Sequence, residues 1–363
     1  MKMHTRRGFL GVLGAAGASS MLYPHDAAAD HEPAPSKMRM NDGGMKTITL
    51  EEHFVTTGFL KATGNYGSAA PPRMQRVQAQ LLDLGSGRIA AMDEGGVDLQ
   101  VLSLTAQVDT LPPASASAVL HDVNDELAAA LRAHPGRLAG FASLNTRDPL
   151  AAAKEFDRCV NVLGFKGALI SGTTDGEFLD QAKFIPIFEA ANALRVPIYL
   201  HPAPPPKVVQ DAYFSGLPGD TGLVLSIAGW GWHAETGLHS LRLIVSGLFD
   251  RFPELQVVIG HMGEGVPYAL ARSSPLLTAV SRHLKLSVAE YFLRNFRVTT
   301  SGYFTLPPFR CALDVLGIDR LLYSVDYPFS TTLQGRDFLN SVELSHDDRA
   351  KLAHKNAEGI LKL

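Results

Sequence analysis

The chain has 363 residues, of which 46% are hydrophobic and 19% charged, with a formal net charge of −3. This composition is typical of a globular α/β protein with a large core, and it argues against extensive disorder. No basic run follows the first seven residues, so the charge pattern gives nucleic-acid binding no electrostatic support.

The N-terminal residues predict an export signal. Arg6 and Arg7 precede a moderately apolar stretch, and residues 26–30 (DAAAD) offer a small-residue cleavage site. This layout is typical of a twin-arginine signal peptide, which the twin-arginine export machinery would recognise. The alternative, a membrane anchor, is disfavoured because the apolar run is short. We therefore expect a periplasmic or exported protein. The predicted organisation is a signal peptide, a flexible leader and one folded domain, over residues 1–29, 30–45 and 46–363.

The folded part alternates between strand-like and helix-like segments. The predicted strands are 47–54, 99–104, 137–144, 165–170, 196–201, 255–261, 296–301 and 321–326. The predicted helices are 73–95, 115–134, 149–163, 184–194, 237–251, a segment from about 265, 308–316 and further segments toward the C-terminus. Eight such units predict an α/β fold of the (β/α)₈ TIM barrel type. A doubly wound open sheet is the alternative, but no glycine-rich phosphate-binding motif follows the first strand.

Polar residues stand where several predicted strands end, at the face where barrel enzymes keep their chemistry. Glu51 and His53 are two residues apart and point to one side of the first strand, whereas Glu52 points to the other. The remaining residues of this group are His201, His261, Glu264 and Asp326. Each alone could be a structural histidine or a helix cap. Together they predict a site for a divalent cation such as Zn²⁺ or Mn²⁺.

Several segments resemble one enzyme family. They are LEEHF, YLHPAPPPKVV, GLHSLRLIVSGLFDRFPELQVVIGHMGEGVPYALAR and NFRVTTSGYF…DRLLYSVDYPF. They are similar to the metal-dependent decarboxylase branch of the amidohydrolase superfamily, which includes 2,3-dihydroxybenzoate, γ-resorcylate and 5-carboxyvanillate decarboxylases. The resemblance implies an amidohydrolase-type barrel that removes CO₂ from a hydroxylated aromatic acid, and a homodimer or homotetramer.

The resemblance also implies roles for individual residues. The implied metal ligands are Glu51, His53, His201 and Asp326. Asp326 would also be catalytic, with His261 assisted by Glu264 beside the metal. Arg272 and Arg88 are similar to arginines that bind substrate, the first across a subunit interface, whereas a solvated helix residue is an equal alternative for Arg88.

Comparison with other branches of the amidohydrolase superfamily implies a single metal ion. Many of its members carry His-x-His on the first strand, and the binuclear hydrolases have a bridging lysine at the end of the fourth. Here the first strand carries Glu-x-His, and Lys166 begins the fourth strand, which ends at Ile170 and Ser171. We expect Zn²⁺ or Mn²⁺, with Mg²⁺ as a third candidate, and no organic cofactor.

The loop 202–236 is long for a strand-to-helix connection, which indicates a functional role. Trp230, Trp232 and His233 offer flat surfaces that suit an aromatic substrate, although packing on the barrel is an equal alternative for either tryptophan. Phe54 and Tyr303 are further candidate pocket walls. Two other functions stay open, namely a metal-dependent hydrolase of a lactone or amide and a binding protein without turnover. Cys159 and Cys311 are expected to be buried free thiols, although export leaves a disulfide open.

Overall fold

The structure is a computed structural model that describes residues 44–66 and 72–363. The predicted signal peptide and nearly all of the predicted leader lie outside the described residues. Among the described helices, none is both long enough and apolar enough to cross a membrane.

The strands form a parallel barrel in chain order. They are β1 Ile48–Phe54, β2 Leu99–Leu104, β3 Leu138–Gly140 with Ala142–Ser143, β4 Ala168–Ser171, β5 Ile198–His201, β6 Val257–Ile259, β7 Phe296–Thr299 and β8 Leu321–Leu322. Neighbours pair in parallel from β1 to β3 and from β3 to β8. The chain after β8 joins β1, because Ser324 accepts from Leu50 N–H and the His53 N–H donates to the Tyr327 carbonyl. The predicted (β/α)₈ fold is confirmed.

The helices surround this barrel, with extra helices in the long loop after β5. In chain order they are α1 Thr57–Ala62, α2 Pro72–Leu82, α3 Ser86–Gly95, α4 Ala116–Ala133, α5 Pro149–Asn161, α6 Ile185–Leu194, α7 Lys207–Tyr213, α8 Thr221–Ser226, α9 Gly231–Val245, α10 Leu248–Arg251, α11 Val266–Val280, α12 Val288–Asn295, α13 Leu306–Leu316, α14 Thr332–Ser341, α15 His346–Ala350 and α16 Asn356–Leu361. A π-helical turn, Lys351–Lys355, joins the last two.

Some helix predictions were wrong in detail. The segment predicted as one helix over 73–95 is two helices, because the Asp83 carboxylate accepts the Gly85 N–H and closes a turn between them. Helix α9 begins at Gly231, well before the predicted start at 237, and ends before Gly247, whose φ of 83° breaks the helix. Helix α12 was not predicted, although Ser287 and Glu290 form a capping box at its start.

The two larger apolar clusters of the described residues hold the fold together. One fills the barrel interior and includes Ile48, Leu50, Tyr199 and Val258, with Ile360 and Leu361 of α16 at its base. The larger cluster lies between strands and helices. Cys159 belongs to this outer cluster, whereas Cys311 is only half-buried, and both are free thiols as predicted.

A break in the regular pairing of β1 turns Glu51 toward the site. The pairing of β1 with β2 shifts register between Thr49 and Glu52, which is the mark of a β-bulge. Ile48 and Leu50 both pack in the barrel interior, and Glu51 nevertheless also turns inward to meet Tyr199. The bulge therefore adds a carboxylate to the inner face at the carboxyl end of the strand.

Candidate metal centre

The predicted ligands converge at the carboxyl ends of the strands. His201 Nε2 lies 3.1 Å from Glu51 Oε1, and His53 Nε2 lies 3.3 Å from Asp326 Oδ1. His261 Nε2 lies 3.8 Å from Glu51 Oε1 and 3.9 Å from Asp326 Oδ2. All five residues are buried. Overlapping groups of three of them bring their ligand atoms within 4.8 Å of one another. Two carboxylates and three imidazoles thus surround one small volume.

The donor atoms of this group fit a divalent cation. Glu51 Oε1 and His53 Nε2 are buried, and neither atom has a hydrogen-bond partner within the part of the chain that the structure describes. The His201 Nδ1–H donates to the Pro202 carbonyl at 2.7 Å, so Nε2 carries the free lone pair. Burial lowers the pKa of His53, which favours the neutral imidazole that binds metals. Such orphaned acceptors would otherwise be costly in a buried site.

Glu51 is held as a carboxylate with one oxygen free. Its Oε2 accepts hydrogen bonds from Tyr199, Ser301 and Thr299, the last at 3.3 Å. Burial raises the pKa of Glu51, but the charge of His261, together with the nearby imidazoles, lowers it strongly overall. The three hydroxyl groups fix the orientation of the carboxylate, so that Oε1 faces the metal ligands. Sequence reasoning missed these hydroxyl donors, because they come from strands distant in the chain.

His261 and Glu264 form the hydrogen-bonded pair that the sequence suggested. The Nδ1 of His261 lies 2.7 Å from Glu264 Oε1. Burial alone would lower the pKa of His261, but the carboxylates of Glu51 and Glu264 raise it well above its ordinary value. His261, Met262 and Glu264 have φ values of 49°, 56° and 54°, which are strained for residues with side chains. This tight turn aims both polar side chains at the site.

The second oxygen of Glu264 has its own partner. His233 Nδ1 lies 2.5 Å from Glu264 Oε2, and the indole N–H of Trp232 donates to His233 Nε2 at 2.9 Å. The sequence suggested only a flat surface for His233. Its hydrogen bond to Glu264 was missed, since the spacing of the two residues in the chain carries no signal for it.

Two glycines make room for the ligands. A Cβ at Gly260 would lie 2.5 Å from Glu51 Oε2, which is closer than real contacts allow. Gly302 has a φ of 62°, and a Cβ there would lie 3.3 Å from Asp326 Oδ2. Both positions therefore require glycine for close approach of the backbone to a ligand.

Comparisons with known proteins identify the family. Residues 52–363 match the amidohydrolase family. The chain belongs to the amidohydrolase family. It is 37% identical to decarboxylase orsB of Emericella nidulans over 329 residues, or 87% of this chain and 97% of that protein.

Solved structures of amidohydrolase-related decarboxylases also match. One is 2,6-dihydroxybenzoate decarboxylase complexed with 2,6-dihydroxybenzoate, at 34% identity and a TM-score of 0.80, covering 88% of this chain and 100% of that one. Another is a dihydroxybenzoic acid decarboxylase from Polaromonas with manganese and the inhibitor 2-nitroresorcinol. It shares 34% identity and a TM-score of 0.78, and the match covers 88% of this chain and 97% of that one.

Within this amidohydrolase barrel, the end of β4 carries no metal-bridging lysine. Ser171 stands there, in register with His201, and its buried hydroxyl has no hydrogen-bond partner among the described residues. Lys166 precedes the strand and reaches the Lys362 carbonyl at 3.4 Å, near the chain's C-terminus. A single metal ion stays a prediction.

Two predicted substrate contacts are engaged with other parts of the protein. Phe54 follows His53 on the strand and points into the outer core instead of the pocket. Arg88 is completely buried, and each of its guanidinium nitrogens bonds protein oxygens, including the Gln100 side chain and the His53 carbonyl. Neither arrangement supports the predicted substrate role, because Phe54 faces the helices and the Arg88 side chain already donates hydrogen bonds to backbone carbonyls.

The other predicted pocket residues are distributed differently. Tyr303 packs against the rings of His261 and His233, at centroid distances of 5.8 and 5.6 Å. Trp230 is 64% exposed and lines an outer cavity of about 950 Å³ instead of touching the ligands. Arg272 is exposed on α11. The ring of Phe329, which was not predicted, lies 5.8 Å from His53 and adds an aromatic wall.

Proposed function

We propose that this protein is a metal-dependent, non-oxidative decarboxylase of a hydroxylated aromatic carboxylic acid. The observation that carries the proposal is the pair of orphaned ligand atoms on Glu51 and His53, facing His201 and Asp326. His261 and its carboxylate partner lie directly beside them. The related 2,6-dihydroxybenzoate decarboxylase was solved with an aromatic acid bound, which supports the same substrate class here.

We assign one divalent ion to Glu51, His53, His201 and Asp326. Manganese in a related structure favours Mn²⁺, while the mixed imidazole and carboxylate set also suits Zn²⁺. When bound, the ion supplies positive charge that neutralises the carboxylate and neighbouring phenolate oxygens of the substrate.

The protein side chains transfer the proton and orient the substrate. Asp326 delivers a proton to the carboxylated ring carbon and is left as a carboxylate, which regains a proton from water before the next turnover. The bond from this carbon to the carboxylate then breaks, CO₂ leaves and aromaticity returns. His261, held by Glu264, orients the phenolic hydroxyl beside the reacting carbon. Tyr303 and Phe329 flank the ring as walls.

The test measures CO₂ release from a panel of ortho-hydroxybenzoates, using enzyme loaded separately with Mn²⁺, Zn²⁺ or Mg²⁺. We expect metal-dependent release that a chelator abolishes. Hydrolysis of a lactone or amide panel without CO₂ would instead assign the hydrolase. Stoichiometric uptake of the aromatic acid without product would assign a binding protein.

We also propose that residues 1–29 direct twin-arginine export to the periplasm or beyond. The paired arginines and the small-residue site after them support this. Fractionation of cells that express the full chain, compared with the Arg6→Lys, Arg7→Lys variant, tests it. An unchanged distribution in the variant would refute it.

We further propose a homodimer or homotetramer in which Arg272 reaches the substrate of a neighbouring subunit. The exposure of Arg272 in the single chain supports this. Light scattering and the KM of Arg272→Ala test it. A monomer, or an unchanged KM, would contradict it.

A further inference from the structure

Glu264 is clamped by two histidines rather than one. His261 binds Oε1 and His233 binds Oε2, at 2.7 and 2.5 Å. The Glu264 side chain has no exposed surface, so both oxygens must be satisfied within the protein. Removing the His233 donor would leave Oε2 buried and unpaired, because no other hydrogen bond to this oxygen is present among the described residues.

Trp232 fixes the tautomer of His233. An indole N–H can only donate, so His233 Nε2 must accept and cannot carry a proton. The proton of neutral His233 therefore sits on Nδ1 and points at Glu264. The carboxylate in turn receives the Nδ1–H of His261, which leaves His261 Nε2 facing the metal ligands.

We infer that His233 is a positioning residue for His261, acting through Glu264, with Trp232 setting its tautomer. The chain of hydrogen bonds runs Trp232, His233, Glu264, His261. By satisfying Oε2, His233 prevents the carboxylate from rotating away from His261. The ring of Tyr303 packs against both imidazoles and limits their movement further.

The kinetic test rests on the proposed function and compares two variants at one position. His233→Phe keeps a planar ring but removes the donor, whereas His233→Asn places an amide N–H near the former Nδ1. We expect His233→Phe to lower kcat for CO₂ release by about 10- to 100-fold, with KM changed less than about threefold. Losses of about this size follow when the hydrogen-bond partner that orients a metal-binding side chain is removed. His233→Asn should recover most of this loss, and Trp232→Phe should lose less than His233→Phe.

His239→Phe is the matched control. His239 lies on the same helix, is also buried and accepts one backbone N–H from Leu179. Among the described residues it has no hydrogen bond or ion pair with Glu264. We expect it to lower the thermal unfolding temperature while leaving kcat unchanged. Metal content per chain should be equal in all variants, because none of them replaces a ligand.

A second readout is independent of turnover. ¹⁵N-histidine NMR of the wild-type protein should show His233 protonated at Nδ1 and not at Nε2, and Trp232→Phe should allow both tautomers. An Nε2-protonated His233, full kcat in His233→Phe, or equal loss in His233→Phe and His233→Asn would each overturn the inference. Absence of CO₂ from the wild type would refute the proposed function alone, since the tautomer test would still decide the role of His233.

Discussion

Replacing Asp326 with asparagine is the most direct test of the proposed chemistry. Asp326 Oδ1 lies 3.3 Å from His53 Nε2, and its side chain is almost fully buried. The backbone at this position has a φ of 71°, which asparagine tolerates at least as well as aspartate. The change therefore keeps the shape and the backbone while removing the carboxyl group that can ionise, bind a metal as an anion and transfer a proton.

The expected loss follows from that proton. General acid catalysis by a positioned side chain contributes about 10²- to 10⁴-fold, or about 2.7 to 5.5 kcal/mol of barrier. Glu51, His53 and His201 remain as ligands, so at saturating Mn²⁺ the variant should still bind one ion per chain. Binding of 2-nitroresorcinol, which occupies the related Polaromonas enzyme, should also persist.

The assay combines CO₂ release, metal analysis and inhibitor titration. Glu51→Gln serves as the comparison that loses metal, and Asp319→Asn, an exposed partner of Lys351, serves as the variant with little effect. Turnover in Asp326→Asn within about tenfold of the wild type would refute the proton-donor role. Loss of metal together with turnover would show that Asp326 acts chiefly as a ligand.

Three further predictions concern the groups around the site. Ser301→Ala removes a donor to Glu51 and should weaken metal affinity by about 10- to 100-fold in a competition titration with a chelator. Arg88→Met should lower the free energy of unfolding by about 3 kcal/mol or more, because charged hydrogen bonds to backbone carbonyls are lost, while KM changes little. Burial raises the pKa of Glu235 from its ordinary value of 4.5 to about 7, so between these pH values the folded state holds a proton that the unfolded state releases. Stability should thus fall by up to about 3 kcal/mol as the pH rises from 4.5 to 7, and Glu235→Gln should flatten this fall in urea titrations.

Each of these has a result that would count against it. Ser215→Ala alters an exposed serine, and equal metal affinity in it and in Ser301→Ala would remove the role assigned to the hydroxyl. A raised KM with unchanged stability in Arg88→Met would restore the predicted substrate contact. Identical pH profiles of stability in wild type and Glu235→Gln would mean that this half-buried carboxylate, whose Oε1 has no hydrogen-bond partner among the described residues, is not the source of the slope.

The parts that the sequence predicts well are those set by local periodicity and strand ends. Alternating strands and helices indicated the barrel, and the polar strand ends indicated Glu51, His53, His201, His261 and Asp326 as one group. The hydroxyl donors to Glu51 and the contact of His233 with Glu264 were not predictable, because they join side chains from elements far apart in the chain. For Arg88 the sequence predicted a substrate contact, whereas its side chain donates to protein oxygens such as the His53 carbonyl. Nothing in the local sequence distinguishes an arginine that binds backbone carbonyls from one that binds substrate.

The first strand shows why correct residue choice and correct geometry are separate problems. Strict alternation from Ile48 and Leu50, which face the barrel interior, would turn Glu51 outward and Glu52 inward. The bulge between Thr49 and Glu52 reverses this, so that Glu51 meets the imidazoles as a carboxylate. Glu52 instead joins the strand to the chain after β8, accepting N–H groups of Val325 and Tyr327 at 2.9 and 3.1 Å. Burial raises the pKa of Glu52 to about 8. The extra residue of the bulge therefore places Glu51 among the metal ligands and Glu52 at the closure of the barrel.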